Sequence, residues 1–80
     1  MKVQVIVRLK DGVLDPQGEA VAKALNNLGF DTVEAVRQGK MIELVLHETD
    51  LALAKCKVTD MCEKLLANTV IESYEIEIVQ

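Results

Sequence analysis

Aromatic side chains are nearly absent from this sequence, which has one phenylalanine, one tyrosine and no tryptophan in 80 residues. That leaves no stacking platform of the kind RNA-recognition modules carry on an open sheet. It also obliges the core to be built from Val, Ile, Leu, Ala and Met. There is a single histidine, His47, and the two cysteines, Cys56 and Cys62, form no Cys-x-x-Cys pair, so the ligand set of a structural zinc site is missing. Six residues apart on what reads as one helix, the two thiols lie about 240° apart around its axis and cannot bond one another without breaking it. Cys62 reads as a small core hydrophobe and Cys56 as a partly exposed passenger. Cationic charge is also short: nine Lys+Arg stand against thirteen Asp+Glu, a formal net charge of −4. Such a chain lacks the field that draws proteins to phosphate backbones or anionic lipid, so neither a nucleic acid nor a membrane is the expected partner. No apolar run approaches the ~20 residues of a membrane span, and Met1-Lys2-Val3-Gln4 alternates instead of opening a signal-peptide core. With two unpaired thiols in addition, a cytoplasmic location is expected.

What is present is apolar mass in a small frame. Half of the residues are hydrophobic and 28% are charged, the mix of a globular chain, and residues 1–80 are expected to form a single domain. A domain of this length buries only about 60–65% of its unfolded surface and has little room for a deep pocket of its own. The surplus apolar surface points to a subunit interface.

Hydrophobic periodicity divides the chain cleanly. Val3, Val5, Val7 and Leu9 alternate with Lys2, Gln4, Arg8 and Lys10, predicting a half-buried strand whose outer row is interrupted by Ile6. Lys10-Asp11-Gly12 marks a turn. Asp15 then offers an N-cap with Pro16 at the first helical position, and Val21, Ala24, Leu25 and Leu28 form one helix face. Gly29 and Phe30 supply a Schellman ending. Residues 32–47 read as two strands joined at Gly39-Lys40. The second strand is plain in Ile42, Leu44 and Leu46. Val33 and Val36 of the first are an odd number apart, which asks for a bulge or a late start. Thr49 or Asp50 caps a second helix with Leu51, Ala54, Val58, Met61 and Leu65 on one face and Asn68 as its stop, and Val70, Tyr74, Ile76 and Ile78 line a last strand. The order β-α-β-β-α-β predicts an α+β, ferredoxin-like sandwich with two helices on one face of an antiparallel sheet.

That fold hosts many activities, so its usual sites are tested one by one. The segment Lys10–Asp15 carries no soft metal ligand, which removes the metal-chaperone pattern. Asp11-Gly12 with Asp15 nearby is a poor anion cradle, and Arg8, Arg37 and Lys40 are scattered and make no phosphate loop. His47 beside Glu48 and Asp50 could be an oriented base, but a solvated strand end next to a helix cap explains the same residues. Glu72, Glu75 and Glu77 could be read as a carboxylate cluster, but Glu75 and Glu77 share the outward row and serve to keep that strand soluble. No catalytic residue, no metal ligand and no cofactor bound by the chain itself is therefore expected. A small-molecule regulatory domain of the ACT type, which needs few signature residues, stays open as the alternative.

Three segments carry a specific resemblance: Leu14-Asp15-Pro16-Gln17-Gly18; Val36-Arg37-Gln38-Gly39-Lys40 leading into Glu43; and Met61-Cys62-Glu63-Lys64-Leu65-Leu66-Ala67-Asn68-Thr69-Val70-Ile71-Glu72 followed by Tyr74-Glu75. In order and spacing they resemble the PurS family, the small subunit of phosphoribosylformylglycinamidine synthase in organisms that divide the enzyme among three chains. The resemblance implies a subunit of a ligase that uses ATP, magnesium and glutamine to convert formylglycinamide ribonucleotide to formylglycinamidine ribonucleotide in purine biosynthesis. It further implies a homodimer or higher homo-oligomer that helps to assemble a glutaminase subunit and a large synthetase subunit. Within those segments Gln17, Arg37, Lys40, Thr69 and Glu72 have no evident structural duty and are the candidate partner contacts. From the residue pattern itself, Ile6, Met41, Val45, Ile71 and Val79 face away from the helices and are the candidate self-association surface.

Overall fold

A computed structural model describes residues 1–79. Strand β1 (Lys2–Leu9) is followed by helix α1 (Pro16–Asn27), strand β2 (Lys40–Val45), helix α2 (Leu51–Met61), which runs on into a π-helical turn at Cys62–Leu66, and strand β3 (Glu72–Val79). The sheet has three strands in the order β2-β1-β3, with β1 antiparallel to both neighbours. The alternation of β1 sets the layers. Val3, Val5 and Val7 are completely covered and meet Val58 and Cys62 of the α2 segment and Ala67 beyond it, with Ala54 also buried. Ile76 and Ile78 of β3, and Ile42, Leu44 and Leu46 at β2, pack around that centre without being fully enclosed. Cys62 lies in the core as predicted, and burial pushes its thiol upward in pKa, so it stays protonated. Cys56 is exposed.

Local signals terminate the helices as chemistry requires. Asp15 and Asp50 cap α1 and α2 by accepting from Gly18 N and Leu53 N. At the end of α1, Phe30 N donates to Leu25 O and Gly29 N to Asn26 O, with Gly29 at φ +100°, the two bonds of a Schellman motif. Asn68 does not stop α2. It lies two residues past the π-helical turn, accepts at its carbonyl from Ile71 N and Glu72 N, and so shapes the bend into β3, which starts at Glu72 and not at Val70. Tyr74 on β3 donates to Glu63 Oε2 at 2.6 Å, which fastens the sheet to the π-helical turn and pushes the phenol pKa up to about 12.

The α+β, ferredoxin-like class stands, with one departure. Residues 32–38 add no fourth strand, and the chain makes no hairpin at Gly39-Lys40. A hairpin partner for β2 would lie on the edge away from β1, and that edge is open. Helix α1 departs likewise: it is not packed on the sheet or on α2. It projects, and residues 34–37 return along its flank beside Glu19 and Ala22. This α1 arm makes the molecule 48 × 26 × 14 Å with a Cα radius of gyration of 16.0 Å, against about 12 Å for a compact chain of this length. Of the two helices, only α2 covers the sheet.

Candidate functional site

The base of the arm is held by Asp15. Its carboxylate is buried, accepting from Gly18 N through Oδ1 and from Gln38 N through Oδ2, both at 2.8 Å. One residue thus caps α1 and anchors the returning segment. Those two N–H groups, with the nearby Arg37 guanidinium, hold its pKa below the ordinary carboxylate value. Arg37 itself donates through Nη1 to Val13 O at 2.8 Å and through Nη2 to Lys10 O at 3.2 Å. Two glycines allow the close approach. A Cβ at Gly18 would collide with the Val36 carbonyl oxygen, and one at Gly39 would stand 2.6 Å from Val7 O. The arm is therefore fixed in direction at its root.

Around this clamp, at the C-terminal end of β1, lies a shallow cleft of about 280 Å³. It is bordered by Val7 and Leu9 below, Asp15 and Gln17 from α1, Gln38 to Lys40, and Glu72 from β3. Three predicted partner contacts, Gln17, Lys40 and Glu72, meet there although they lie far apart in sequence. Across the Gln38–Lys40 segment, on the outer side of the sheet, a second cleft of about 480 Å³ takes in Arg37 with Ile6, Arg8 and Met41. Thr69 lines neither cleft; its carbonyl accepts from Lys10 Nζ at 2.7 Å. The presumption that these five residues lack structural duty fails for two. Arg37 braces the loop after β1, and Glu72 Oε1 accepts from Asn68 N at 2.6 Å. Lys40 and Gln17 are exposed, and Lys40 has no side-chain partner among the described residues.

The residues expected to mediate self-association do not form one patch. Ile6 sits opposite Met41, while Val45 and Val79 flank Lys2, and the row Gln4, Glu43, Glu77 separates the two groups. Ile71 lies beyond the start of β3, where its carbonyl accepts from Lys10 N. An ion pair of Arg8 with Glu75 (2.9 Å) adds further polarity to that face.

Catalytic apparatus does not converge on either cleft. His47 lies past the far end of β2. Glu48 beside it is engaged by Lys57 at 2.8 Å, which holds its carboxyl below its usual pKa. Among the described residues no three His, Cys, Asp or Glu side chains are grouped to hold a metal ion.

Comparison with known proteins decides the family. The family model described as PurS, phosphoribosylformylglycinamidine (FGAM) synthase, matches residues 2–80. The chain belongs to the PurS family. It is 52% identical over 77 residues to the PurS subunit of phosphoribosylformylglycinamidine synthase of Bacillus subtilis, covering 96% of this chain and 90% of that one. A crystal form of B. subtilis PurS overlays with a TM-score of 0.86 at 49% identity, covering 99% of this chain and 98% of its own. A chain of the Thermotoga maritima PurLQS structure matches with a TM-score of 0.86 at 33% identity over 95% of this chain and 93% of its own. PurS is a subunit of FGAM synthase, and nothing among these relatives supports an ACT-type regulatory domain.

Proposed function

We propose that this PurS-family chain is the small, non-catalytic assembly subunit of FGAM synthase, a homo-oligomer that bridges a glutaminase subunit and a large synthetase subunit. The observation that carries this is the near full-length match to a chain of the T. maritima PurLQS structure. ATP and magnesium then belong to the synthetase, and this chain needs no cofactor of its own. The physical service is proximity. Ammonia released at one site must reach another before it is protonated and lost, and holding two subunits in register makes that transfer effectively intramolecular. A cytoplasmic location accords with this role, and among the described residues no helix is long and apolar enough to cross a membrane.

Gln17, Lys40 and Glu72 at the first cleft are the proposed contacts, together with Arg37 at the second and Thr69. Glu72 and Arg37 also hold loops, so Lys40 and Gln17 are the cleaner probes. The test is co-purification of tagged chain with the large and glutaminase subunits. The parent chain captures both. Lys40→Glu and Gln17→Ala keep the parent's thermal unfolding temperature, and the first weakens capture by about tenfold or more, the loss of one central charged contact. Equal capture by both variants removes the cleft from the interface, and no capture by the parent removes the bridging role itself.

A further inference from the structure

Arg8, Arg37 and Lys40 are dispersed in the sequence, yet all three line the second cleft, the one of about 480 Å³ on the outer side of the sheet. In a chain of net charge −4 with nine Lys+Arg, a third of the cations meet at this one place. Their charges are engaged differently. Arg37 is fastened by two neutral carbonyls, Val13 O at 2.8 Å and Lys10 O at 3.2 Å, so its guanidinium is held in place with donors and charge to spare. The Asp15 carboxylate near it gives its two oxygens to Gly18 N and Gln38 N and not to the guanidinium. Lys40 is exposed and makes no ion pair among the described residues. Arg8 is shared with Glu75 at 2.9 Å, an exposed pair that costs little to exchange for a stronger anion. The rest of the lining is of two kinds. Ile6 and Met41, opposite one another on β1 and β2, form an apolar floor, and Met41 is 53% exposed. Asp11, in the turn after β1, brings one exposed carboxylate to the border. Three cations suit a phosphate dianion, a lone carboxylate suits sugar hydroxyls, and an apolar floor suits the face of a ring. The volume lies within the range of about 300–1,000 Å³ usual for small-molecule sites.

We propose that this second cleft binds a nucleoside monophosphate. Its phosphate lies among Arg37, Lys40 and Arg8, its ribose hydroxyls donate to Asp11, and its base covers Ile6 and Met41. Inorganic phosphate alone would meet the cations but also the repulsion of Asp11, and would leave the apolar floor uncovered. Lys40 borders the first cleft as well, so the bound nucleotide sits beside the proposed partner contacts and bears on assembly. The site goes beyond the bridging role and does not depend on it.

The test is titration of the full-length, isotopically labelled chain with adenosine monophosphate, adenosine and inorganic phosphate, followed through its amide NMR signals. Adenosine monophosphate should give saturable shifts concentrated in residues 6–11 and 37–41, and should bind at least about tenfold tighter than either fragment, since each fragment lacks one half of the contacts. Arg8→Gln and Lys40→Gln, both at exposed side chains and so compatible with folding, should each weaken it by about tenfold or more, the loss of one charge-assisted contact. Asp11→Asn should weaken adenosine monophosphate while inorganic phosphate binds as well or better, a split that a merely structural role of Asp11 would not produce. No saturable shift, or shifts centred elsewhere, overturns the proposal. Inorganic phosphate binding as tightly as the nucleotide means an anion site only, and overturns the nucleotide assignment. Unchanged binding in both Arg8→Gln and Lys40→Gln overturns it as well. Co-purification with the partner subunits is read independently, so this site and the bridging role fail separately.

Discussion

Asp15 shows how much one side chain can decide in so small a protein. As a helix cap it is replaceable by several polar residues. As acceptor from both Gly18 N and Gln38 N it fixes where the arm points. Its lowered pKa means that the ionised form is stabilised by folding. That contribution is complete above the ordinary value of 3.8 and is lost as pH falls from there through the lowered folded-state value. Asp15→Asn keeps one acceptor but turns either an amide or a weaker oxygen toward the second N–H. It should therefore unfold at a lower temperature than the parent at pH 7, by roughly 5 °C, with the gap narrowing below about pH 4. Gly18→Ala should be at least as damaging, because its Cβ has no room beside Val36 O. Thermal unfolding scans at pH 7 and pH 3 check both. A gap independent of pH, or a Gly18→Ala variant as stable as the parent, contradicts the clamp. The cap at Asp15 was legible in the sequence because Pro16 and the apolar stripe follow it directly. Its second bond, and the two carbonyls held by Arg37, were not legible, because they join residues more than twenty positions apart.

At the scale of elements, β1, α1, α2 and β3 were readable because period, cap and stop are local properties of a few consecutive residues. Residues 32–38 were readable only as extended chain. Whether such a segment joins a sheet depends on which edge is within reach, and reach was decided by the clamp at Asp15 and Gly18. The odd spacing of Val33 and Val36 had already marked it as an irregular strand; both are half-buried, with Val36 against the root of α1. The passage from this segment into β2 can be biased by chemistry. Gln38→Asn places Asn-Gly there, a sequence that favours the tight hairpin through positive φ at both residues. The variant should shift the population toward a closed form, seen as a radius of gyration in small-angle scattering falling toward that of a compact 80-residue chain. An unchanged profile would show that turn propensity does not control the opening.

The whole molecule combines an acidic surface, a core of three valines with a few partners, and an arm that buries little of its own apolar face. An enzyme of this size would need a converging set of reactive side chains. A scaffold needs fixed surfaces, and the two clefts beside the clamp are the surfaces proposed to meet the partner subunits. Of the five candidate partner contacts read from sequence, three meet in one cleft at the sheet end because the starts of α1, β2 and β3 converge there. No local pattern could have shown that convergence. The most direct measurement is glutamine-dependent formation of formylglycinamidine ribonucleotide by the large and glutaminase subunits, with and without this chain. Turnover should stay near background without it, rise on its addition until the subunits are in fixed proportion, and be absent when the chain is assayed alone. Full glutamine-dependent turnover in its absence, or turnover by the chain alone, would contradict its role as a non-catalytic assembly subunit.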